Sequence, residues 1–277
     1  MRFTQFSTQL LQQIVLVCVI GLGTALTHAN ALAQTDNSDL AKQLANPVAN
    51  LISLPFQGNY DSGYGSADGE KYVINVQPVM PMRLNDDWNL ISRTILPLVH
   101  QNDINGNSGT DTGIGDTVQS FFFSPVEPTE SGLIWGVGPA LLLPTASQNS
   151  LGVDQWGAGP TAVGLFADGP WTYGMLTNHV WGADEGSAAS ATNASFFQPF
   201  INYTTPNAWT FALNTESTYN WAADQWSVPV NGIVSKLTSI GDQKISVGAG
   251  VRYWVDSPDA GPDGWGARLV LTFLFPK

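Results

Sequence analysis

The stretch from Trp265 to Phe275, Trp-Gly-Ala-Arg-Leu-Val-Leu-Thr-Phe-Leu-Phe, constrains the chain more than any other. At the two-residue period of a strand, Trp265, Ala267, Leu269, Leu271, Phe273 and Phe275 share one face, and Gly266, Arg268, Val270, Thr272 and Leu274 share the other. The first face is apolar throughout with aromatics at both ends; the second carries an arginine among small and mixed residues. Such a strand suits lipid on one side and a wet lumen on the other. Its residues, rising about 3.3 Å each and tilted about 40°, cover roughly 28 Å, close to the apolar band of an outer-membrane barrel. The expected fold is all-β: a closed antiparallel up-and-down transmembrane β-barrel of about twelve strands, of which this is the last.

Composition agrees with that reading. Only 12% of the 277 residues are charged, and 28 Gly and 10 Trp stand where a large soluble β-protein would place Lys and Glu. Residues 1–33 read as a secretory signal, with Arg2 as the n-region charge, Ile14 to Leu26 as the apolar core and Ala31-Leu32-Ala33 or Ala29-Asn30-Ala31 as the cleavage site. That apolar run is well short of the ~20 residues a spanning helix needs. The single cysteine, Cys18, lies inside it, so the exported chain can form neither a disulfide nor a cysteine metal site. Removing the leader leaves 9 basic against 22 acidic residues, a net −13 that argues against nucleic acid as a partner. Export without a spanning helix points to the outer membrane of a Gram-negative cell, with lipid, lipopolysaccharide and the barrel-insertion machinery as partners.

Residues 34–47 read as a polar periplasmic extension with a short helix, Ser38 as its N-cap, Leu40 and Leu44 on one side and a stop at Pro47. Residues 48–277 read as the barrel. Its segments fall at 48–58, 71–82, 88–99, 113–124, 132–144, 156–166, 171–181, 194–204, 209–219, 226–236, 243–255 and 265–275. The connections largely alternate long and short, as a barrel with long outer loops and tight periplasmic turns requires. Tryptophans agree: Trp88, Trp135, Trp156, Trp171, Trp209, Trp226 and Trp265 fall near strand starts, and Trp181, Trp221 and Trp254 near strand ends. Interfacial indoles sit at headgroup level, whereas core indoles favour strand middles. Pro78, Pro97, Pro139, Pro160, Pro199 and Pro229 fall inside segments, where bulges or bends are expected.

Several stretches, Asn46-Pro47-Val48-Ala49-Asn50-Leu51-Ile52-Ser53-Leu54-Pro55-Phe56-Gln57, Trp88 to Thr94, Gly113-Ile114-Gly115-Asp116, Gly169 to Gly174 and the Leu-Phe-Pro-Lys end, carry a resemblance. They resemble a family of bacterial outer-membrane β-barrels labelled as transporters and similar to the meta-pathway phenol-degradation barrels, some of whose relatives carry the label neuromedin U. The resemblance covers nearly the whole exported chain and implies a porin-like barrel, without supplying site residues. Here Pro276 and Lys277 follow Phe275, a departure from the terminal aromatic that many such barrels present to the insertion machinery.

Charges inside strands are few: Arg93, Asp116, Glu216, Lys244, Arg252 and Arg268. On the lipid face at mid-depth a Lys or Arg costs about 2–4 kcal/mol, so these are expected to line the lumen, as a selectivity lining or as a salt-bridge network. Acids collect in the expected outer loops: Asp61, Asp68, Glu70, Asp103, Asp111, Asp154, Asp184, Glu185, Asp224, Asp256, Asp259 and Asp263. No calcium loop, metal pair or cofactor motif is present, and none is expected. Ser195, Asp116 and His179 can be drawn as a triad, but no spacing supports it, so no enzyme is expected. The expected function is passive passage of small molecules, apolar or aromatic compounds among them. The rival readings are a closed-lumen structural or surface-interaction barrel and a secreted soluble β-protein binding carbohydrate.

Overall fold

A computed structural model describes residues 31–104, 109–183 and 192–276. The chain divides into two compact units, Met1–Gln34 and Thr35–Lys277, and the fold below is that of the second. The leader expected over residues 1–33 falls almost wholly outside the described residues.

Twelve antiparallel strands follow one another up and down. They are β1 (Ile52–Tyr64), β2 (Gly69–Val76, continued by Val79–Arg83), β3 (Trp88–Asn102), β4 (Thr110–Ile114, continued by Thr117–Pro125), β5 (Ile134–Leu143) and β6 (Gly157–Asp168). Then come β7 (Trp171–Gly182), β8 (Asn193–Thr204), β9 (Trp209–Thr215, continued by Ser217–Asn220), β10 (Gln225–Ile240), β11 (Gln243–Asp256) and β12 (Gly264–Phe275). Each pairs with its sequence neighbour, and β1 pairs with β12 from Ile52↔Phe275 to Tyr60↔Ala267, which closes the cylinder. A closed sheet leaves no unpaired edge, the condition for crossing lipid with strands.

One end of the cylinder carries tight turns, among them Gly169-Pro170 and Gly241-Asp242, whose glycines sit at φ of 55° and 57°. The other end carries longer loops, including 144–156 and 257–263. Several strands overrun their expected limits. β1 continues to Tyr64 where residues 59–70 were expected to form an outer loop, so Asp61 is a strand residue. β10 likewise reaches Ile240 at the turn end, absorbing most of the expected connection 237–242.

Prolines break the ladder where both neighbours would need their donor. β2 is interrupted at Gln77-Pro78, and β4 at Gly115-Asp116, where the Gly115 N–H donates to the Pro97 carbonyl at 2.9 Å. The register of β10 against β11 shifts at Pro229, opposite the Glu216 interruption of β9. Pro139 and Pro160 instead face each other across β5 and β6 without a shift, so the expected bend is not found at that pair. Each removes a donor the other does not require.

The outer surface is largely apolar, and one polar cluster on it lies between β3 and β4. There Ser92, Thr94 and Gln119 face outward and satisfy one another: the Thr94 hydroxyl donates to Gln119 Oε1 at 2.5 Å, and Gln119 Nε2 donates to Ser92 Oγ at 3.0 Å. Polar groups facing lipid must find such partners within the protein.

A helix, α1 (Ala31–Leu44), precedes the barrel. It starts earlier than the expected helix, and Ser38 lies inside it rather than capping it: its hydroxyl donates to the Thr205 carbonyl at 3.4 Å. Leu40 and Ala41 are buried with Leu51, Ala208, Leu237 and Leu274, so the C-terminal half of α1 packs into the turn end of the cylinder. Among the described residues no helix is long and apolar enough to cross a membrane, which says nothing of strands.

Candidate functional site

The site is the lumen, and strand parity builds it. On β12 Arg268, Thr272 and Leu274 are buried while Trp265 is 66% exposed. That is the inside-outside division expected from the two faces of the terminal stretch. The same alternation turns Asn59 and Asp61 of β1, Lys71 of β2, Arg93 of β3, Glu216 of β9, Asn231 of β10 and Arg252 of β11 inward. A cation that points inward keeps access to polar partners and avoids the lipid.

At mid-lumen these groups pair. Arg268, 1% exposed, places both terminal nitrogens on the Glu216 carboxylate at 2.9 and 2.7 Å and donates through Nε to Asn59 Oδ1 at 2.7 Å. One side chain thus ties β12 to β1 and, past β10 and β11, to β9. Asp61 accepts from Trp254 Nε1 at 2.8 Å and lies 3.4 Å from Arg252 Nε, and the Arg252 guanidinium stacks 4.7 Å from the Trp254 ring centre. Bidentate Arg–carboxylate geometry is the strong form of such a pair.

Of the expected lumen charges, Arg93, Glu216, Arg252 and Arg268 come together there. Lys244 faces inward near the turn end, donating to Asn37 Oδ1 of α1 at 2.6 Å. Asp116 does not join them. It sits in the β4 interruption, where its carboxylate accepts from the Ala146 and Val153 N–H groups at 3.1 and 2.6 Å and pins the loop 144–156. That loop dips inward: Gln101 Nε2 donates to the Ser150 carbonyl at 3.1 Å, and Leu151 is buried. Sequence reasoning missed Asn59, Lys71 and Gln77 as lumen groups and placed Asp61 in a loop. The signal for the first and last was the run Gln57, Asn59, Asp61, polar at every second position.

The turn-end half of the lumen is narrowed by residues 40–51. Val48 is buried with Ile91, Phe122, Val163, Leu165 and Leu176, all inward groups of the wall. A Cβ on Gly136 would lie 3.3 Å from Val48 Cγ1, so the absent side chain admits the segment. Between segment and wall lies a cavity of about 230 Å³ lined by Leu44, Leu51, Val79, Arg93, Phe200, Asn202 and neighbours.

The aromatics form two belts. Trp88, Trp135, Trp171 and Trp209 stand at the turn end, with Trp88 against Trp135 at 5.8 Å and Trp171 against Tyr203 at 4.8 Å. Trp156, Trp181, Trp221, Trp226 and Trp265 stand at the loop end, with Trp265 against Tyr253 at 4.9 Å. Trp254 departs from the expected interface set, since it turns inward to Asp61 and Arg252.

The drawn triad separates. Asp116 is committed to its loop, but His179 Nδ1 and Ser195 Oγ are 2.7 Å apart on the outward face of β7 and β8, and Trp221 Nε1 donates to the same oxygen at 2.9 Å. His179 Nε2 is buried with no hydrogen-bond partner. Among the described residues no group of three or more His, Cys, Asp or Glu is placed to hold a metal.

No family model and no curated protein matches the chain. Among solved structures it is similar to an outer membrane channel from Pseudomonas putida F1, with a TM-score of 0.62 at 17% identity over 81% of this chain and 94% of that one. It is also similar to the KdgM porin, solved with disordered oligogalacturonate, with a TM-score of 0.47 at 12% identity over 81% and 99%. A third is outer membrane phospholipase A from Escherichia coli, with a TM-score of 0.46 at 9% identity over 81% and 96%. The first likeness shows the fold: a closed twelve-stranded outer-membrane barrel. The third corrects the expectation that an enzyme is excluded, because barrels of this general shape include one.

Proposed function

We propose that the barrel allows small molecules to cross the outer membrane passively, through a lumen whose fixed charges bias what enters. The observation that carries this is the division of the wall: an apolar outside, and an inside bearing Lys71, Arg93, Arg252 and Arg268 against Asp61 and Glu216. Asp61 and Glu216 each face an arginine, which leaves positive charge in excess and favours anions and neutral solutes. A leader over residues 1–33, delivery by the barrel-insertion machinery and kinship with the meta-pathway phenol-degradation barrels fit this reading, with aromatic compounds among the solutes.

A closed structural barrel is favoured by one observation, the seating of Leu40, Val48 and Leu51 in the lumen. Burying each is worth about 1.5–3 kcal/mol, so lifting all three would cost at most roughly 5–9 kcal/mol. Spontaneous opening is then rare, and passage requires the segment to yield to a solute or a potential. Planar-bilayer recording of the exported chain separates the two. Brief, infrequent openings support passage, and no opening with any solute or potential supports the closed barrel.

A further inference from the structure

The cavity between the N-terminal segment and the wall joins features that neither plugging nor a bare salt-bridge network requires. Arg93 projects into it from β3, and the hydrogen bond it makes runs from Nη2 to Gln77 Oε1 at 3.1 Å. A guanidinium carries five N–H donors in a fixed fork. Among the described residues, the buried polar atoms lacking a partner include none of the Arg93 nitrogens, so its remaining donors open onto the cavity.

The acids that could neutralise it are engaged: Glu216 holds Arg268 through two hydrogen bonds, and Asp61 holds Arg252 and Trp254. No acidic side chain lines the cavity among the described residues. The lining that Arg93 shares includes the apolar Leu44, Leu51, Val79 and Phe200 and the uncharged polar Asn202 and Gln198.

We propose that this cavity binds a small monocarboxylate with an apolar body, its carboxylate received by the Arg93 fork and its body held by Leu51, Val79 and Phe200. The proposal rests on the lumen being a passage and names the class of solute that pauses there. Three physical points fix the class. A planar fork with free donors matches a carboxylate bidentately. At about 230 Å³ the space is smaller than the ~300–1,000 Å³ of sites for drug-sized ligands, which suits a single ring or short chain. The cavity offers a single charged side chain, because among the described residues no Lys or Arg other than Arg93 lines it, and Lys71, the inward cation of the adjoining strand, pairs opposite Gln101, roughly 25 Å along β3.

The test uses the full exported barrel in detergent, with 4-fluorobenzoate as probe and 4-fluorobenzamide as its uncharged counterpart, both followed by fluorine NMR line broadening. The wild-type barrel is expected to bind the carboxylate at least tenfold more tightly than the amide. Arg93→Gln is expected to remove that preference, and acetate to displace the probe only at much higher concentration. Equal binding of carboxylate and amide by the wild type overturns the proposal without any variant having to fold. So does an undiminished preference in an Arg93→Gln barrel that retains its heat-dependent gel mobility. Acetate competing as well as benzoate overturns the apolar body. Conductance of the same preparation keeps the two readings apart: binding in a barrel that never opens leaves the site and removes the passage, and no binding in one that opens removes the site alone.

Discussion

Arg268 on β12 and Glu216 on β9 meet through two hydrogen bonds of 2.9 and 2.7 Å across the width of two intervening strands. The pair sits where β9 is interrupted, so it holds the wall at the point where the ladder is weakest. Glu216→Gln leaves the Arg268 charge buried without its counterion, at a cost of about 3–5 kcal/mol. A lower temperature for the heat-induced gel-mobility shift is expected. Pairing Glu216→Gln with Arg268→Met is expected to recover most of the loss, because no uncompensated charge then remains. An unshifted transition in the single variant would mean that water or another group compensates Arg268.

Loop 144–156 is held to the β4 interruption by one carboxylate. Replacing Asp116 by Ala removes two hydrogen bonds to an ionised acceptor, each worth about 1.5–3 kcal/mol. The Ala146 and Val153 amides are expected to exchange with solvent at least tenfold faster while exchange in β5 stays unchanged. Gly113→Val should act alike by collision, since a Cβ there would lie 2.0 Å from Ser147 Oγ and 2.9 Å from Leu151 Cδ1. Exchange rates unaffected by both changes would show that the loop is anchored elsewhere.

Neighbouring positions on β12 are expected to answer the same substitution oppositely. Leu269 faces out and is 47% exposed, while Val270 faces in. Leu269→Lys places a charge at mid-depth in lipid and costs about 2–4 kcal/mol, whereas Val270→Lys adds one to a polar lumen. The measurement is the fraction of chain that assembles into the heat-modifiable form. Equal tolerance of the two would deny the assigned faces.

What the sequence makes legible follows from range. The alternation of Trp265 to Phe275 and the end positions of nine tryptophans are local patterns, and each of the twelve expected segments overlaps one strand. Trp254 shares the strand-end position of the others, yet its direction is set by Asp61, 193 residues away. Asp61 itself reads as a loop acid because Gly58, Gly63 and Gly65 surround it, and only the pairing of β1 with β2 and β12 shows that the strand runs on. The seating of Val48 depends on Gly136 and on buried apolar groups from four strands, none of which marks itself as lumen-facing by period alone. Pro97 lies beside the β4 interruption, its carbonyl accepting from the Gly115 N–H, a neighbourhood invisible until the two strands are paired.

The most direct test of a lumen closed by its own N-terminal segment is a reversible lock on that segment. Val48→Cys and Gly136→Cys place two thiols where Val48 Cγ1 and a Cβ on Gly136 would be 3.3 Å apart, with Cys18 replaced by Ser so that no other thiol remains. Single-channel conductance is then recorded in planar bilayers before and after adding a reductant. Silence while the disulfide is intact, followed by openings once it is reduced, is the expected result. Openings of the same size and frequency in both states would contradict the closure of the lumen by residues 40–51.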